Sequence, residues 1–213
     1  MPDLHFQVED ALATPNAAVP QLTFKMRITN SEPGPIHSIA LRAQIQIEPA
    51  RRRYTPAEQE RLKELFGEPE RWSKSVHPLL WTNANMNVTS FTGSTVIDIP
   101  VTCTFDFNVA ITKYIYGLEG GELPLSFLFS GTVFHAGGMG LQIAQIPWDR
   151  EASYKLPVRV WKAMMDEHYP NTAWLCLHRD VFDRLCEYKA RHNIATFEQA
   201  LERVLGLTAE AKA

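Results

Sequence analysis

Apolar and polar positions alternate along much of the chain. From Ile39 the residues Ile39, Leu41, Ala43, Ile45 and Ile47 fall on one face and Ala40, Arg42, Gln44, Gln46 and Glu48 on the other. The same period returns where Ile97, Ile99, Val101, Cys103, Phe105 and Phe107 alternate with Asp98, Pro100, Thr102, Thr104 and Asp106. A period of two over nine or more residues predicts an antiparallel strand with one wet face. Shorter runs repeat it: Leu4, Phe6 and Val8, then Leu22, Phe24, Met26 and Ile28, and later Leu125, Phe127 and Phe129. The turn cluster Thr29 to Pro35 separates two of these strands, and Gly137-Gly138-Met139-Gly140 reads as a hairpin turn into Leu141 and Ile143. Strands with Gly and Pro turns and no regular alternation with helices predict a mainly β protein. The expected fold is an antiparallel β-sandwich, immunoglobulin-like or related.

Two stretches break the pattern. Thr55-Pro56-Ala57-Glu58 is a capping box with proline at the first helical position, followed by Leu62, Leu65 and Phe66 and stopped by Gly67. The segment from about 50 to 85 therefore reads as a helical insertion that folds back on the sandwich. After Pro157 the spacing of Val160, Trp161, Met164 and Met165 is helical. Asp180 reads as the cap of a helix bearing Phe182, Leu185 and Tyr188, and Thr196 as the cap of another bearing Ala200, Leu201, Val204 and Leu205. The expected organisation is a sandwich over 1–157 and a helical appendage over 158–213 packed on it. The small, polar tail from Thr208 is expected to fray.

Charge narrows the function. Twenty-one basic and 24 acidic side chains leave a net charge of −3, which argues against non-specific nucleic-acid binding. The run Arg51-Arg52-Arg53 reads as a solvated loop. The N-terminus carries no secretory pattern, no apolar run is long enough to span a membrane, and three cysteines outside any CxxC spacing fit a reducing cytoplasm.

Candidate chemistry is sparse. No Walker loop, dinucleotide fingerprint, nucleophile elbow or HExxH motif occurs. The nearest approach to a metal set is His168 with Cys176 and His178, which lacks a fourth ligand at short spacing, so neither metal nor cofactor is expected. Asp98 and Asp106 on one predicted strand stand roughly 27 Å apart and cannot act as a pair. Glu9, Asp10, Asp149 and Glu151 read as solvated carboxylates near strand ends. Trp72, Trp81, Trp148, Trp161 and Trp174 cluster in the insertion and the C-terminal part. They read first as anchors fastening these parts to the sheet, with a partner interface and a sugar platform as the alternatives.

The segment Trp174-Leu175-Cys176-Leu177-His178-Arg179-Asp180-Val181-Phe182-Asp183-Arg184-Leu185, with Tyr188-Lys189 and Thr196-Phe197-Glu198 beyond it, resembles an uncharacterised bacterial family known only as a domain of unknown function. Its genes are thought to neighbour nickel–iron hydrogenase genes in aerobic soil bacteria. The resemblance implies no catalytic residues. It implies an accessory or assembly role, with a hydrogenase subunit or maturation factor as partner. The expected protein is thus a non-catalytic cytoplasmic binder of another protein, with Arg179, Asp183, Arg184 and Lys189 presented to that partner. The alternative is a small-molecule- or carbohydrate-binding or hydrolytic domain.

Overall fold

A computed structural model describes residues 2–137 and 140–206. Eight strands among these residues form two antiparallel sheets: β1 (Leu4–Ala13), β2 (Gln21–Asn30), β3 (Ile36–Ile47), β4 (Leu79–Val88), β5 (Ser94–Thr102), β6 (Glu122–Gly137), β7 (Gly140–Gln145) and β8 (Glu151–Pro157). One sheet has the order β1-β2-β5 and the other β4-β3-β6-β7, with β8 also pairing β6. The mainly β sandwich read from the alternation is the architecture observed. Leu22, Phe24, Met26 and Ile28 of β2 and Ile39, Leu41, Ala43, Ile45 and Ile47 of β3 are all buried, as a period of two demands of the inner faces. Phe24 of one sheet meets Phe127, Trp81 and Tyr154 of the other edge-on, at ring-centroid distances of 5.2, 6.2 and 6.1 Å. Phe6 stacks on Phe129 at 4.1 Å. These contacts between sheets define the core.

One strand serves two partners. The first half of β6 pairs with β8 and the second half with β7, which changes over near Gly131. Gly131 has φ +143, and a Cβ there would lie 2.1 Å from the Ala40 carbonyl oxygen on β3, so the close approach requires glycine. Gly137 lies opposite Gly140 at the end of the β6–β7 pairing, while Gly138 and Met139 lie outside the described residues.

Two strand readings change. β5 stops at Thr102, and the chain turns through Phe107, whose N–H donates to the Thr104 carbonyl at 3.2 Å. Phe105 is buried from that turn rather than from mid-strand, against Tyr169 at 4.7 Å and Tyr116 at 6.0 Å, while Phe107 is half-exposed. β4 begins at Leu79 rather than after residue 85, because the consecutive apolar Leu79, Leu80 and Trp81 hide its alternation.

The helices of this part are α1 (Pro56–Phe66), the single turn α2 (Trp72–Ser75), α3 (Val109–Gly117) and α4 (Val158–His168). The capping box of α1 is complete: Glu58 N–H donates to Thr55 Oγ1 at 3.2 Å and Thr55 N–H to Glu58 Oε2 at 3.0 Å. α3 is started by Asn108, whose Oδ1 accepts from Ile111 N–H at 3.1 Å. It packs on α1 where Gly117 meets Leu62, whose Cδ2 would stand 2.7 Å from a Cβ at that position. α4 buries Trp161, Met164 and Met165 in the core.

The chain divides after Thr172. α4, assigned from sequence to the C-terminal part, belongs to the first unit. The second unit carries α5 (Arg179–Arg191) and α6 (Phe197–Val204), which meet through Phe182 and Phe197 with ring centroids 5.6 Å apart. Asp180 sits in the first turn of α5, and His178 occupies the cap position without a side-chain bond. The tail beyond Gly206 lies outside the described residues. No helix among the described residues is long and apolar enough to cross a membrane.

Candidate functional site

The most strongly built polar constellation centres on Arg52. The basic run, expected to be solvated throughout, is solvated only in part: Arg51 and Arg53 are exposed, but the Arg52 side chain is only 9% exposed. Arg52 Nη2 donates to Glu58 Oε1 at 2.6 Å and to the Gly120 carbonyl at 2.7 Å, and Nη1 donates to the Glu122 carbonyl at 2.8 Å. Glu58 is itself buried and accepts from Glu119 N–H at 2.8 Å. The pair therefore ties the start of α1 to the loop between α3 and β6. Burial pushes the Glu58 carboxyl up, but the hydrogen bonds from Glu119 N–H and Thr55 N–H, with the charge of Arg52, outweigh it and hold the group below its usual range. Beside the pair, Tyr54 donates to the Pro49 carbonyl, and its hydroxyl lies 2.8 Å from that of Tyr114. Burial raises the pKa of both phenols, so they are neutral hydrogen-bonding groups at physiological pH.

Two grooves flank Gly121. The smaller, of about 260 Å³, is lined by Arg51, Arg52, Arg53, Gly121, Glu122, Pro124 and Lys155. The larger, of about 600 Å³, shares Gly121 and Glu122 and adds Glu119, Gly120, Pro157 and the exposed side of α4 at Arg159, Lys162, Ala163 and Asp166. Lys162 Nζ donates to the Leu118 carbonyl at 2.5 Å. Local sequence signals identify Glu58 only as a capping-box residue. Its second role depends on carbonyls and an N–H roughly sixty residues away, which no local pattern announces.

The second unit has a different character. Eight large apolar residues are exposed there: Trp174, Leu175, Leu177, Val181, Phe182, Phe197, Val204 and Leu205. Among its described residues only Ala200 is buried. Of the residues assigned to a partner, Arg179, Asp183 and Arg184 are exposed on α5. Lys189 is half-buried, with Nζ 5.5 Å from the Phe197 ring centroid. Its stem borders the apolar stripe, as its spacing from Phe182 and Leu185 implies.

The remaining candidates are dispersed. His168 on α4 sets Nδ1 3.0 Å from the Met164 carbonyl and Nε2 3.3 Å from the Ala17 carbonyl. Cys176 is exposed, and among the described residues no three His, Cys, Asp or Glu side chains converge as metal ligands. Asp98 pairs with Lys25 at 2.7 Å, and Asp106 lies in the turn after β5 rather than on the strand. Trp72, Trp81 and Trp161 are buried, whereas Trp174 is 42% and Trp148 is 94% exposed. Cys103 is a buried thiol pushed up to about 12 by desolvation.

Several solved structures are distantly similar to the chain. A β-glucosidase from Kluyveromyces marxianus aligns with 72% of this chain at 8% identity and a TM-score of 0.30, and this chain spans 15% of its length. The CARDB domain of a Pyrococcus furiosus protein, in complex with di-metal ions, aligns with 73% of the chain at 9% identity and a TM-score of 0.30, with 92% of that domain covered. A putative late embryogenesis abundant protein aligns with 74% of the chain at 14% identity and a TM-score of 0.28, with 73% of it covered. None of the curated proteins matches. The sequence itself is matched from end to end, over residues 1–213, by the model of a family of unknown function, DUF6084, and the chain belongs to that family.

Proposed function

We infer that this protein is a non-catalytic accessory factor that binds another protein through its second unit. The observation that carries the reading is the exposure of eight large apolar side chains between Trp174 and Leu205, in a unit where only Ala200 is buried among the described residues. Apolar surface concentrated in this way marks an interaction site in a globular protein. The exposed Arg179, Asp183 and Arg184 supply the charged rim that sets association rate and register. The family resemblance suggests the partner class: a subunit or maturation factor of a hydrogenase-type metalloenzyme, met in the cytoplasm.

The test is capture from the native host with full-length wild-type protein and with Val204→Glu/Leu205→Glu as baits, followed by surface plasmon resonance on the captured protein. The expected result is a partner that binds wild type and is lost with the double variant. Arg184→Glu should slow association while leaving the fold intact. A partner that binds the double variant as tightly as wild type places the interface elsewhere, and the absence of any captured partner refutes the reading.

A further inference from the structure

We propose that the smaller groove beside Gly121 binds the phosphate group of a small, polar phosphorylated molecule. Four cationic side chains line it, Arg51, Arg52, Arg53 and Lys155, against the single carboxylate of Glu122, in a chain whose net charge is −3. The four are not equivalent. Arg52 is the fixed floor, with its guanidinium held by Glu58 and by two loop carbonyls. Its side chain is nine-tenths buried, so it sets a fixed positive charge beneath the groove.

The other three cations are available. Arg51 reaches Glu48 only at 3.8 Å, and Lys155 reaches Glu122 at 3.4 Å, with the Arg51 and Lys155 side chains 64% and 72% exposed. Exposed pairs at such distances contribute little and exchange readily for a stronger anion. Arg53 makes no ion pair among the described residues. Guanidinium groups beside an ammonium suit a phosphate, which accepts bidentate charge-assisted hydrogen bonds. The volume, about 260 Å³, is that of a head-group site rather than of a whole cofactor pocket. Across Gly121 the larger groove offers Arg159 and Lys162 as donors and Glu119 and Asp166 as acceptors. That mixture suits the hydroxyl groups of a polar body such as a sugar.

The experiment titrates the full chain with ribose 5-phosphate and with ribose at constant ionic strength, by isothermal calorimetry and thermal unfolding. The comparison protein is Arg53→Gln/Lys155→Gln, in which both substituted side chains are exposed and Arg52 is untouched. Saturable binding of ribose 5-phosphate, with ribose far weaker, is expected in wild type. Losing one charge-assisted hydrogen bond weakens binding roughly tenfold, so the double variant should lose roughly 100-fold. Three results would each overturn the proposal: no effect beyond that of sodium chloride, ribose binding as tightly as ribose 5-phosphate, or unchanged affinity in the double variant.

Discussion

Replacing Glu58 with glutamine should destabilise the first unit more than any other single surface-neutral change of similar size. The carboxylate is 2% exposed and its partner Arg52 is 9% exposed, so the change leaves a cation buried with only neutral acceptors. It also turns an acceptor into a donor. Glu58 Oε1 receives Arg52 and Glu119 N–H while Oε2 receives Thr55 N–H, and an amide can present an oxygen to one side only. Breaking a buried pair by removing one partner costs about 3–5 kcal/mol. For a unit of this size each kcal/mol lowers Tm by about 2–4 °C, so a fall of roughly 6–20 °C is expected. Swapping both residues for apolar ones should not rescue the protein, because the pair also satisfies the carbonyls of Gly120 and Glu122 and the N–H of Glu119. In this respect it differs from an isolated ion pair, for which apolar replacement is often neutral.

The pH dependence provides an independent check. The folded carboxyl lies below its ordinary value of 4.5, so the folded state favours the ionised form. Its contribution is fully present above the unfolded pKa and is lost as pH falls through the folded one. The gap in stability between wild type and Glu58→Gln should therefore be constant near neutrality and narrow below about pH 4.5. Denaturant unfolding followed by tryptophan fluorescence, repeated at several pH values, measures both quantities. A difference below about 1 kcal/mol at pH 7, or a gap that widens on acidification, would refute the role given to this pair.

Phe105→Ala should cost about 3–5 kcal/mol, since the ring is buried against Tyr116 and Tyr169, and chemical denaturation would show it. Thr55→Ala should cost about 0.5–2 kcal/mol through the lost cap of α1, readable in the same assay. Under native conditions a thiol reagent should modify the exposed Cys176 quickly and leave the buried Cys103, whose pKa is about 12, unmodified until the protein unfolds. Mass spectrometry of the labelled peptides distinguishes the two. Gly131→Ala should destabilise strongly, because no shift of a side-chain tip can relieve a contact made with the Ala40 backbone.

The sandwich was legible because its signal is local. A strand that buries one face writes its period of two directly into neighbouring residues, and β2 throughout and β3 from Ile39 onward carry it without interruption. The failures have equally local causes. Cys103 and Phe105 continue the alternation of β5 and are buried, yet β5 ends at Thr102 and Phe105 already lies in a turn, because burial in a turn and burial in a strand look alike at so few positions. α3 lies outside the elements that the alternation predicts, although its signals are present: Asn108 as cap, Ile111, Tyr114 and Ile115 on one face, and Gly117 at the end. Its β-branched residues and its place directly after a long strand run obscure them.

The candidate site was far less legible, for a reason that also bears on what it does. An arginine in a run of three reads as solvated, since charge alone cannot say which member turns inward. Arg52 is selected by Gly120, Glu122 and Glu58, two of which lie some seventy residues further along. Once Arg52 is withdrawn into the structure, Arg51 and Arg53 are left on either side of a fixed cation, facing the groove that Lys155 completes. A solvated loop would gain nothing from burying its central charge at the cost of desolvation. A loop that must hold two neighbouring cations at one groove gains a rigid anchor. The buried pair thus connects the stability of the first unit to the geometry of its anion groove. Glu58→Gln should loosen the Arg51–Arg53 turn and weaken ribose 5-phosphate binding even at temperatures where the variant remains folded, and unchanged affinity in that folded variant would show that the anchor and the groove are independent.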